Sequence, residues 1–321
     1  RTPSSEGSRS KVPSQPRRRG RKGSRAKAMT STSGEALPPL KRQRLDPDMA
    51  PSVPEIGIVA GREGAFVSAS MTHVTARAED VNHVVFHGGC PDGFVGAYAA
   101  WLALGKRATY VGIGHGNPDD KAKACGDVTR KHVAVVDFSF NPVTTKSHLA
   151  LAASLVVLDH HKSAQLDLAE LPAENKVFEM RQSGATLAWN YWHPNTEMPL
   201  LFRYIEDKDI WRWAMHNSKE FSAGFELEVP IPEAGPITCE HFVVLDKFVK
   251  GGDVALIDLI KIGSTVLRFQ NQVVERHRQR ATLRRLKDFP DLVVAVVNST
   301  VLPSEIGNAI TQIEGANFGI V

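Results

Sequence analysis

Cysteine is scarce in this sequence, and long apolar runs are missing. Only Cys90, Cys125 and Cys239 occur among 321 residues, and no two of them form a CxxC pair. This odd, scattered set excludes a disulfide scaffold, and with no secretory signal it predicts a reducing, intracellular compartment. No apolar run approaches the roughly 18–20 residues that a membrane span requires, so no membrane partner is expected.

Positive charge is also lacking from most of the chain. The formal net charge is +4, with 39 Lys and Arg against 35 Asp and Glu. Residues 1–50 hold 13 Lys and Arg against 4 Asp and Glu, which leaves 26 against 31 for the remainder. An acidic body argues against a broad basic groove for long nucleic acid, and it is compatible with a carboxylate metal site.

The basic residues concentrate in a tail, residues 1–78, that is rich in Ser, Pro, Arg and Gly. Such a composition buries too little apolar surface to offset the entropy of ordering, so this tail is predicted to be disordered. The runs Arg17–Lys22 and Lys41–Arg44 resemble a bipartite nuclear import signal, with a generic basic linker as an equal alternative. An organelle transit peptide has a similar composition. We expect a nuclear or cytoplasmic protein, with an organelle as the alternative, whose tail binds an import receptor or anionic partners.

From Val81 onward, apolar strands alternate with helical segments. Strands are predicted at Val84–His87, Ala108–Ile113, Val133–Ser139, Ser154–Asp159 and Lys176–Met180, and helices at Gly93–Leu104, Pro142–Ala153, Gly184–Trp192 and Pro199–Trp213. This alternation predicts a doubly wound α/β domain with a mostly parallel sheet over residues 79–215.

The last third of the chain has a different pattern. Residues 216–287 are predicted to be a helical region, ending in a long connector helix at about Val254–Leu286 because its apolar residues have helical spacing. A second, smaller α/β unit is predicted at residues 288–321, with strands at Leu292–Asn298 and Phe318–Val321 around a helix at Ser304–Glu314.

Ionisable side chains lie at the ends of three of the predicted strands. Asp92 follows the first, Asp137 ends the third, and the triplet Asp159-His160-His161 ends the fourth. The carboxyl ends of parallel strands face one crevice, and clustered Asp and His side chains suit Mn²⁺, Mg²⁺ or Zn²⁺. Each residue alone fits an ordinary turn, cap or strand end, but together they would cost stability unless they were paired or metal-bound.

Asp159-His160-His161 resembles the signature of the DHH phosphoesterase superfamily. His87-Gly-Gly-Cys-Pro-Asp92-Gly93 resembles the first family motif, Asp137 the second, and Asp207 followed by Trp211 the fourth. The segment from Arg181 to Tyr191 also resembles a block of one branch of that superfamily. The resemblance implies hydrolysis of short phosphodiesters or phosphoanhydrides, such as a short oligonucleotide (nanoRNA), a dinucleotide or polyphosphate.

The resemblance also implies a site for one or two Mn²⁺ or Mg²⁺ ions bridged by Asp137. His87, Asp92 and Asp207 would hold the first ion and His160 with Asp207 the second, and Asp209 is the alternative to Asp207. Asp159 would orient His160, and His161 would face the scissile phosphate as donor or acid. The candidates for phosphate contact are Lys162, Ser163, Arg181 and Ser183, with a plain helix cap as the alternative for Ser183 and simple exposure for Arg181.

The sequence departs from the family pattern at three places. His87 lies one residue further from Asp92 than the His of the pyrophosphatase pattern, an offset that Gly88 and Gly89 could absorb. Phe94 stands where many members carry a second metal-binding Asp, which favours a weaker or substrate-recruited second ion. Residues 288–321 resemble the opening of the accessory DHHA1 domain, but its Gly-Gly-His segment does not occur before Val321. Either the sequence is a fragment or substrate capture has been lost. The alternative function is therefore a catalytically weak DHH-fold nucleotide-binding or scaffold protein, and a homodimer is left open.

Overall fold

A six-stranded sheet forms the centre of the structure, a computed structural model that describes residue 71 and residues 73–321. Its strands are β1 (His83–His87), β2 (Thr109–Ile113), β3 (His132–Val136), β4 (Ser154–Asp159), β5 (Lys176–Phe178) and β6 (Gly235–Ile237), in the order β5-β4-β3-β1-β2-β6. Neighbouring strands are parallel, except that β6 runs antiparallel to β2. The predicted α/β class with a mostly parallel sheet is confirmed. The sequence did not predict β6.

Helices cover both faces of this sheet, which explains why its strands are apolar along most of their length. On one face, α1 (Pro91–Leu104) and α5 (Gly184–Trp192) pack against side chains such as Phe86 and Val136. On the other face, α2 (Pro118–Cys125) and α3 (Pro142–Leu151) lie over Val85 and Val135. Successive residues of one strand therefore enter two separate cores.

The sheet changes its direction of growth at β1. The chain passes from β1 through α1 to β2 on one side, whereas β3, β4 and β5 add on the other side. In open α/β sheets such a switch point leaves a crevice at the carboxyl ends of the strands, and ligands bind there. His87 ends β1 and Asp137 directly follows β3, so both residues lie at this crevice.

The hydrophobic core continues past residue 215, where the sequence predicted the end of the first domain. The helices α6 (Leu200–Asp209), α7 (Ser218–Glu228) and α8 (Cys239–Lys250) contribute Phe202, Phe225 and Phe242 to the core that contains Phe94 of α1. β6 also extends the sheet at its β2 edge. The predicted break between residues 215 and 216 thus falls inside one shared core.

The long helix, α9 (Gly252–Arg280), ends before the predicted limit at Leu286. Ala281 adopts an extended conformation (φ −60°, ψ 141°), and β7 (Thr282–Arg285) pairs antiparallel with β8 (Val293–Val296). With β9 (Phe318–Ile320) they form a three-stranded sheet, on which α10 (Pro303–Thr311) packs through Ile306 and Ile310. The prediction of helix up to Leu286 is wrong because strand pairing and this small core override the helical spacing of the apolar residues.

Most of the predicted disordered tail, including its basic runs, lies outside the described residues. Its last part packs against α5. Ala76 is buried, its carbonyl accepts a hydrogen bond from Tyr191 (2.7 Å), and the Ala78 carbonyl accepts one from the Trp192 indole (3.1 Å). The folded unit therefore begins before residue 79. Within the described part of the chain, none of the helices combines the length and hydropathy needed to cross a bilayer.

Candidate metal centre

Carboxylates and imidazoles from four segments meet at the carboxyl edge of the central sheet. These residues form three groups, and within each group the possible ligand atoms lie within 4.8 Å of one another. The groups are His87, Cys90 and Asp137; Asp137, His160 and His161; and Asp92, His160 and Asp209. The structure thus brings together four of the five first-choice ligands, His87, Asp92, Asp137 and His160. Their grouping differs from the predicted one: Asp92 is grouped with His160 and Asp209, and His87 with Cys90 and Asp137.

Asp137 lies at the centre of these groups. Its Oδ1 is 3.1 Å from Nε2 of His160, and its Oδ2 is 3.3 Å from Nδ1 of His87. Its backbone adopts a left-handed conformation (φ 63°), which is uncommon outside glycine and concentrates at functional sites. Burial opposes ionisation of this carboxyl group, but the hydrogen bond from His160 and the neighbouring His87 outweigh burial and lower its pKa. Asp137 is therefore an anion at neutral pH.

Gly184 makes room for Asp137. A Cβ atom on Gly184 would lie 2.4 Å from Cβ and 2.8 Å from Cα of Asp137, closer than real side chains approach. The same turn of α5 also holds Asp92, whose oxygens accept the backbone N–H groups of Gly184 (2.6 Å) and Ala185 (3.0 Å). The N-terminus of α5 thus fixes both carboxylates.

Asp92 is fully buried, and its pKa is shifted in the direction opposite to that of Asp137. Burial, followed by the negative charge of Asp137, raises the pKa of Asp92 well above its usual range. Its Oδ2 lies 3.7 Å from Nε2 of His160. A cation between these carboxylates would favour the ionised form of Asp92, because an opposite charge lowers the pKa of a carboxyl group.

Asp209, and not Asp207, faces His160. Oδ2 of Asp209 lies 3.3 Å from Nε2 of His160, and burial followed by the charge of Asp137 raises the pKa of Asp209. Asp207 is fully buried, and its two oxygens accept the backbone N–H groups of Ala214 (2.9 Å) and Met215 (3.1 Å). The first choice of Asp207 is corrected on this geometry, since the loop after α6 folds back and uses that carboxylate as its acceptor.

Asp159 orients His161 and not the ring of His160. The buried Oδ1 of Asp159 contacts Nδ1 of His161 (2.7 Å) and accepts the backbone N–H groups of His160 and His161, while Oδ2 accepts the Ser139 hydroxyl (2.6 Å). The hydrogen bond with Asp159 raises the pKa of His161 to about 9, against the opposing effect of burial. His161 therefore carries a positive charge at neutral pH.

The predicted phosphate contacts separate into two kinds. Lys162 and Ser163 are exposed at the start of α4 (Lys162–Asp167), directly after His161. Arg181 is exposed and paired with Glu179 (2.9 Å). Ser183 is fully buried and caps α5, with its Oγ accepting the Thr186 N–H at 3.4 Å. The alternative of a plain helix cap therefore describes the position of Ser183.

Phe94 points away from this centre. It is fully buried in the core and stacks on Phe242, with ring centroids 5.5 Å apart and planes inclined by 13°. A carboxylate at this position would enter the apolar core, so the position does not supply a ligand here. Cys90, at the N-cap of α1, lies at the crevice instead. Burial, and then the charges of Asp137 and Asp92, raise the pKa of its thiol.

A divalent cation fits these residues. Among the described residues, His87 Nδ1, Asp137 Oδ2 and Asp209 Oδ2 are buried and make ion-pair contacts of 3.3 Å but no well-aligned hydrogen bond, so a bound ligand would stabilise them. Ligand atoms about 2.1 Å from a cation at octahedral or tetrahedral angles lie about 3.0–3.4 Å apart. The contacts of 3.1 and 3.3 Å around Asp137 and His160 match that spacing.

Trp211, the aromatic residue of the fourth motif, lies two residues after Asp209, and the sequence offered only core packing as its role. The residue is 78% exposed, and its ring meets that of Trp213 edge-on at a centroid distance of 5.6 Å. Both tryptophans have left-handed backbone conformations (φ 54° and 49°) in the loop that follows α6. The turn that buries Asp207 thus presents a large aromatic surface to solvent two residues beyond Asp209.

Two cavities lie at different ends of the sheet. One, of about 240 Å³, includes Ser139 and Ser163 and opens beside the DHH triplet. A larger one, of about 580 Å³, is lined by His83 and Thr109 at the amino ends of β1 and β2. A third cavity, of about 460 Å³, is lined by Gly89 and Pro91 on either side of Cys90, so the largest cavity is not the one beside the ionisable cluster.

Comparisons with known proteins give distant likenesses. No family model matches the sequence. A segment of 157 residues is 28% identical to an uncharacterized protein of Acanthamoeba polyphaga mimivirus, and the match covers 46% of this chain and 37% of that protein. The chain therefore spans well under half the length of this viral relative. The structure of an uncharacterized protein from Helicobacter pylori superposes with a TM-score of 0.38 at 11% identity, over 72% of this chain and 79% of that one.

Proposed function

We propose that this protein is a divalent-metal-dependent phosphohydrolase of the DHH type that acts on short phosphodiester or phosphoanhydride substrates. The meeting of His87, Asp92, Asp137 and His160 at the switch point of the sheet carries this proposal. These residues come from three motifs that are distant in sequence, and some of their buried atoms lack partners. Strongly perturbed carboxyl and imidazole groups in a crevice favour a functional site over a structural one.

The proposed cation is Mn²⁺, with Mg²⁺ as the alternative, in one or two positions. Asp92, His160 and Asp209 would hold one position, and His87 with Asp137 the other. When bound, the cation would activate water for attack on phosphorus and neutralise the charge of the phosphate. Asp137 belongs to two of the three groups and is ionised, which supports its proposed bridging role.

His161 is proposed to donate a hydrogen bond to the scissile phosphate. Its side chain is 47% exposed, and its raised pKa of about 9 keeps it protonated at neutral pH. Because Asp159 holds Nδ1, Nε2 is the atom left to reach substrate. A positioned cationic donor of this kind stabilises the negative charge of a phosphate. Lys162 and Ser163, exposed on the next two residues, are the accompanying candidates.

A nucleotide substrate is favoured over polyphosphate by the exposed ring of Trp211. Every nucleobase has a π-face that can stack on an exposed aromatic side chain, whereas polyphosphate offers none. The acidic balance of residues 51–321 favours a short oligonucleotide or dinucleotide over a long strand. We therefore place these two substrates first.

Other parts of the chain are assigned by resemblance or by composition. The unit of β7, β8, β9 and α10 is proposed as the opening of a DHHA1-type accessory domain. Binding of the basic tail to an import receptor, nuclear or cytoplasmic placement, and a homodimer stay predictions from the sequence.

Mn²⁺ titration combined with a hydrolysis assay tests the proposal. The full chain would be stripped with chelator, titrated by calorimetry, and assayed on bis-p-nitrophenyl phosphate and on a dinucleotide. We expect hydrolysis that requires Mn²⁺ and falls by about 100-fold or more in Asp137→Ala and His160→Ala. Asp291→Ala, which removes an exposed carboxylate of the second unit, is the control.

The possible outcomes separate the two candidate functions. Mn²⁺ binding without hydrolysis of either substrate would favour the alternative, a catalytically weak nucleotide-binding or scaffold protein. A chain that binds no divalent cation would overturn the proposal.

A further inference from the structure

The thiol of Cys90 lies beside one half of the proposed metal centre. Its Sγ, a ring nitrogen of His87 and a carboxylate oxygen of Asp137 all lie within 4.8 Å of one another. Cys90 occupies the N-cap position of α1, yet its side chain makes no capping hydrogen bond. The backbone N–H groups of Gly93 and Asp92 in the first turn still interact with the thiol, which lies at the crevice.

Two partners of Cys90 point independently to a ligand. Nδ1 of His87 and Oδ2 of Asp137 are buried and contact each other as an ion pair at 3.3 Å, and neither makes a well-aligned hydrogen bond among the described residues. Asp137 is only 1% exposed, so solvent does not satisfy this oxygen. Two ligand atoms about 2.0–2.1 Å from a tetrahedral ion lie about 3.3–3.4 Å apart, which is the observed separation.

We propose that Cys90 Sγ, His87 Nδ1 and Asp137 Oδ2 form a position for a thiophilic divalent cation, with Zn²⁺ as the best match. This inference rests on the proposed metal centre and adds a preference for the kind of ion. Sulfur, imidazole nitrogen and carboxylate oxygen together form a ligand set typical of Zn²⁺. As Sγ coordinates the ion, its S–H bond breaks and the proton passes to bulk water. Three protein ligands leave a fourth position open for water or substrate.

The two halves of the centre then differ in chemistry. Asp92, His160 and Asp209 offer two carboxylates and an imidazole, a harder ligand set that suits Mn²⁺. The Cys90 half contains the only sulfur in the three groups found among the described residues. Phe94 is directed into the core, so residue 94 supplies no carboxylate ligand. The thiol of Cys90 would take the place of that ligand. Asp137 joins the halves through its two oxygens.

Cobalt spectroscopy tests this inference without measuring activity. Co²⁺ added to the chelator-stripped full chain should give a thiolate-to-metal charge-transfer band in the near ultraviolet. The band should disappear in Cys90→Ser and persist in Cys239→Ser, which changes another partly exposed cysteine away from the crevice. In competition experiments, Cys90→Ser should lose about tenfold or more of the affinity for Zn²⁺ and keep the affinity for Mn²⁺ at the other half.

A second measurement needs no variant, so it is independent of any folding defect in Cys90→Ser. The unmodified protein is treated with iodoacetamide with and without Zn²⁺, and each cysteine is followed by peptide mass spectrometry. Zn²⁺ should slow alkylation of Cys90 by about tenfold or more relative to Cys239, since a coordinated thiolate is withheld from the reagent. Equal rates with and without bound Zn²⁺ would overturn the inference.

The outcomes distinguish this inference from the proposed hydrolase. Co²⁺ binding without a charge-transfer band, in a protein that hydrolyses the dinucleotide with Mn²⁺, removes Cys90 from the ligand set and leaves the hydrolase standing. A Cys90-dependent band in a protein that hydrolyses neither substrate keeps the metal site and removes the hydrolase. Failure to bind any divalent cation overturns both.

Discussion

Asp137 and His160 are joined by a contact of 3.1 Å between Oδ1 and Nε2, although 23 residues separate them. The register of two parallel strands sets this contact. Val136 of β3 lies opposite Leu158 of β4, and the Asp137 N–H donates to the Leu158 carbonyl at 2.9 Å. Each residue directly follows its strand, so the sheet itself places a carboxylate next to an imidazole.

Asp207 and Asp209 should give opposite phenotypes when each is changed to Asn. Asp207→Asn removes a charged acceptor of two backbone N–H groups, so we expect a loss of about 1.5–3 kcal/mol in the free energy of unfolding. Asp209→Asn should leave the apo protein as stable or more stable at pH 7, because a carboxyl group with a raised pKa is a destabilising anion in the folded state. It should instead weaken Mn²⁺ binding.

Urea unfolding in chelator and Mn²⁺ calorimetry separate the two effects. Each of the two variants serves as the matched control for the other. If Asp207→Asn lost cation affinity at unchanged stability, the assignment of Asp209 to the site would be wrong.

Gly184→Ala should damage the proposed metal centre although residue 184 carries no ligand. The new Cβ atom would overlap Asp137 at 2.4 Å, so the loop after β3 must shift. We expect a loss of about 1–3 kcal/mol in the free energy of unfolding, as is typical of overpacking, together with weaker Mn²⁺ binding. Gly307→Ala, a substitution within α10, is the control. The added Cβ atom would meet only Cγ2 of Val321, at an ordinary contact distance of 3.6 Å. Normal Mn²⁺ affinity in Gly184→Ala would contradict the proposed role of Gly184 in placing Asp137.

Stability should fall below pH 6.5 partly because of His83. Burial, followed by the charge of Lys131, lowers the pKa of His83, whose Nε2 contacts the Cys125 carbonyl at 3.0 Å. Its neutral form therefore stabilises the fold fully above about pH 6.5, where the unfolded chain is also neutral. As the pH decreases further, the unfolded chain binds the proton first, and this contribution is lost.

Urea unfolding of wild type and His83→Gln in chelator measures this contribution. The stability difference between the two proteins should be largest at pH 8 and shrink towards pH 5. Lys131→Gln should make the pH dependence shallower, because it removes one cause of the lowered pKa. If the stability difference between wild type and His83→Gln grew as the solution was acidified, the pKa of His83 would be raised and not lowered.

Trp211→Ala should separate nucleotide from polyphosphate substrates. Loss of one stacked base costs about 1–3 kcal/mol, so KM for a dinucleotide should rise about tenfold or more, and Trp211→Phe should restore most of it. Tripolyphosphate hydrolysis, if present, should be unaffected because that substrate has no ring. Steady-state kinetics on both substrates provide the measurement, and an unchanged KM for the dinucleotide would refute base stacking.

Truncation should locate the start of the folded unit. Removing residues 1–78 deletes the carbonyl groups that accept hydrogen bonds from Tyr191 and Trp192, whereas removing residues 1–72 retains them. We expect the longer deletion to be less stable than the shorter by about 2–4 kcal/mol, since two buried donors lose their partners. Thermal melting of the two truncated proteins compares them directly. Equal melting temperatures of the two truncated proteins would mean that the folded unit begins at residue 79.

The sequence was most informative where one strand or helix carried the signal alone. The apolar runs at Val84–His87 and Ser154–Asp159 predicted buried strands, because parallel strands between two helical layers are apolar along most of their length. Asp209 also had a usable signal, since Leu201, Ile205 and Asp209 follow the i, i+4 spacing of one helix face. The resemblance to a motif favoured Asp207 and left Asp209 as the alternative.

The sequence was least informative where the outcome depended on distant partners. β6 has no apolar alternation, and it forms because the β2 edge offers hydrogen-bond partners. Residues 282–285 pair with β8 although their spacing continues the pattern of α9. In the same way, the exposure of Trp211 depends on Asp207 binding the amides of the next turn.

By itself the amino-acid sequence determined the α/β class and the acidic and imidazole residues that end its strands, because apolar periodicity and residue type are local properties. Tertiary structure alone decided which of these groups touch. In the folded chain Asp209, and not Asp207, lies against His160, and Asp159 contacts His161. Phe94 packs in the core, and Cys90 lies close to Asp137. Those choices depend on strand register and helix packing, which bring together atoms from segments that are far apart along the chain.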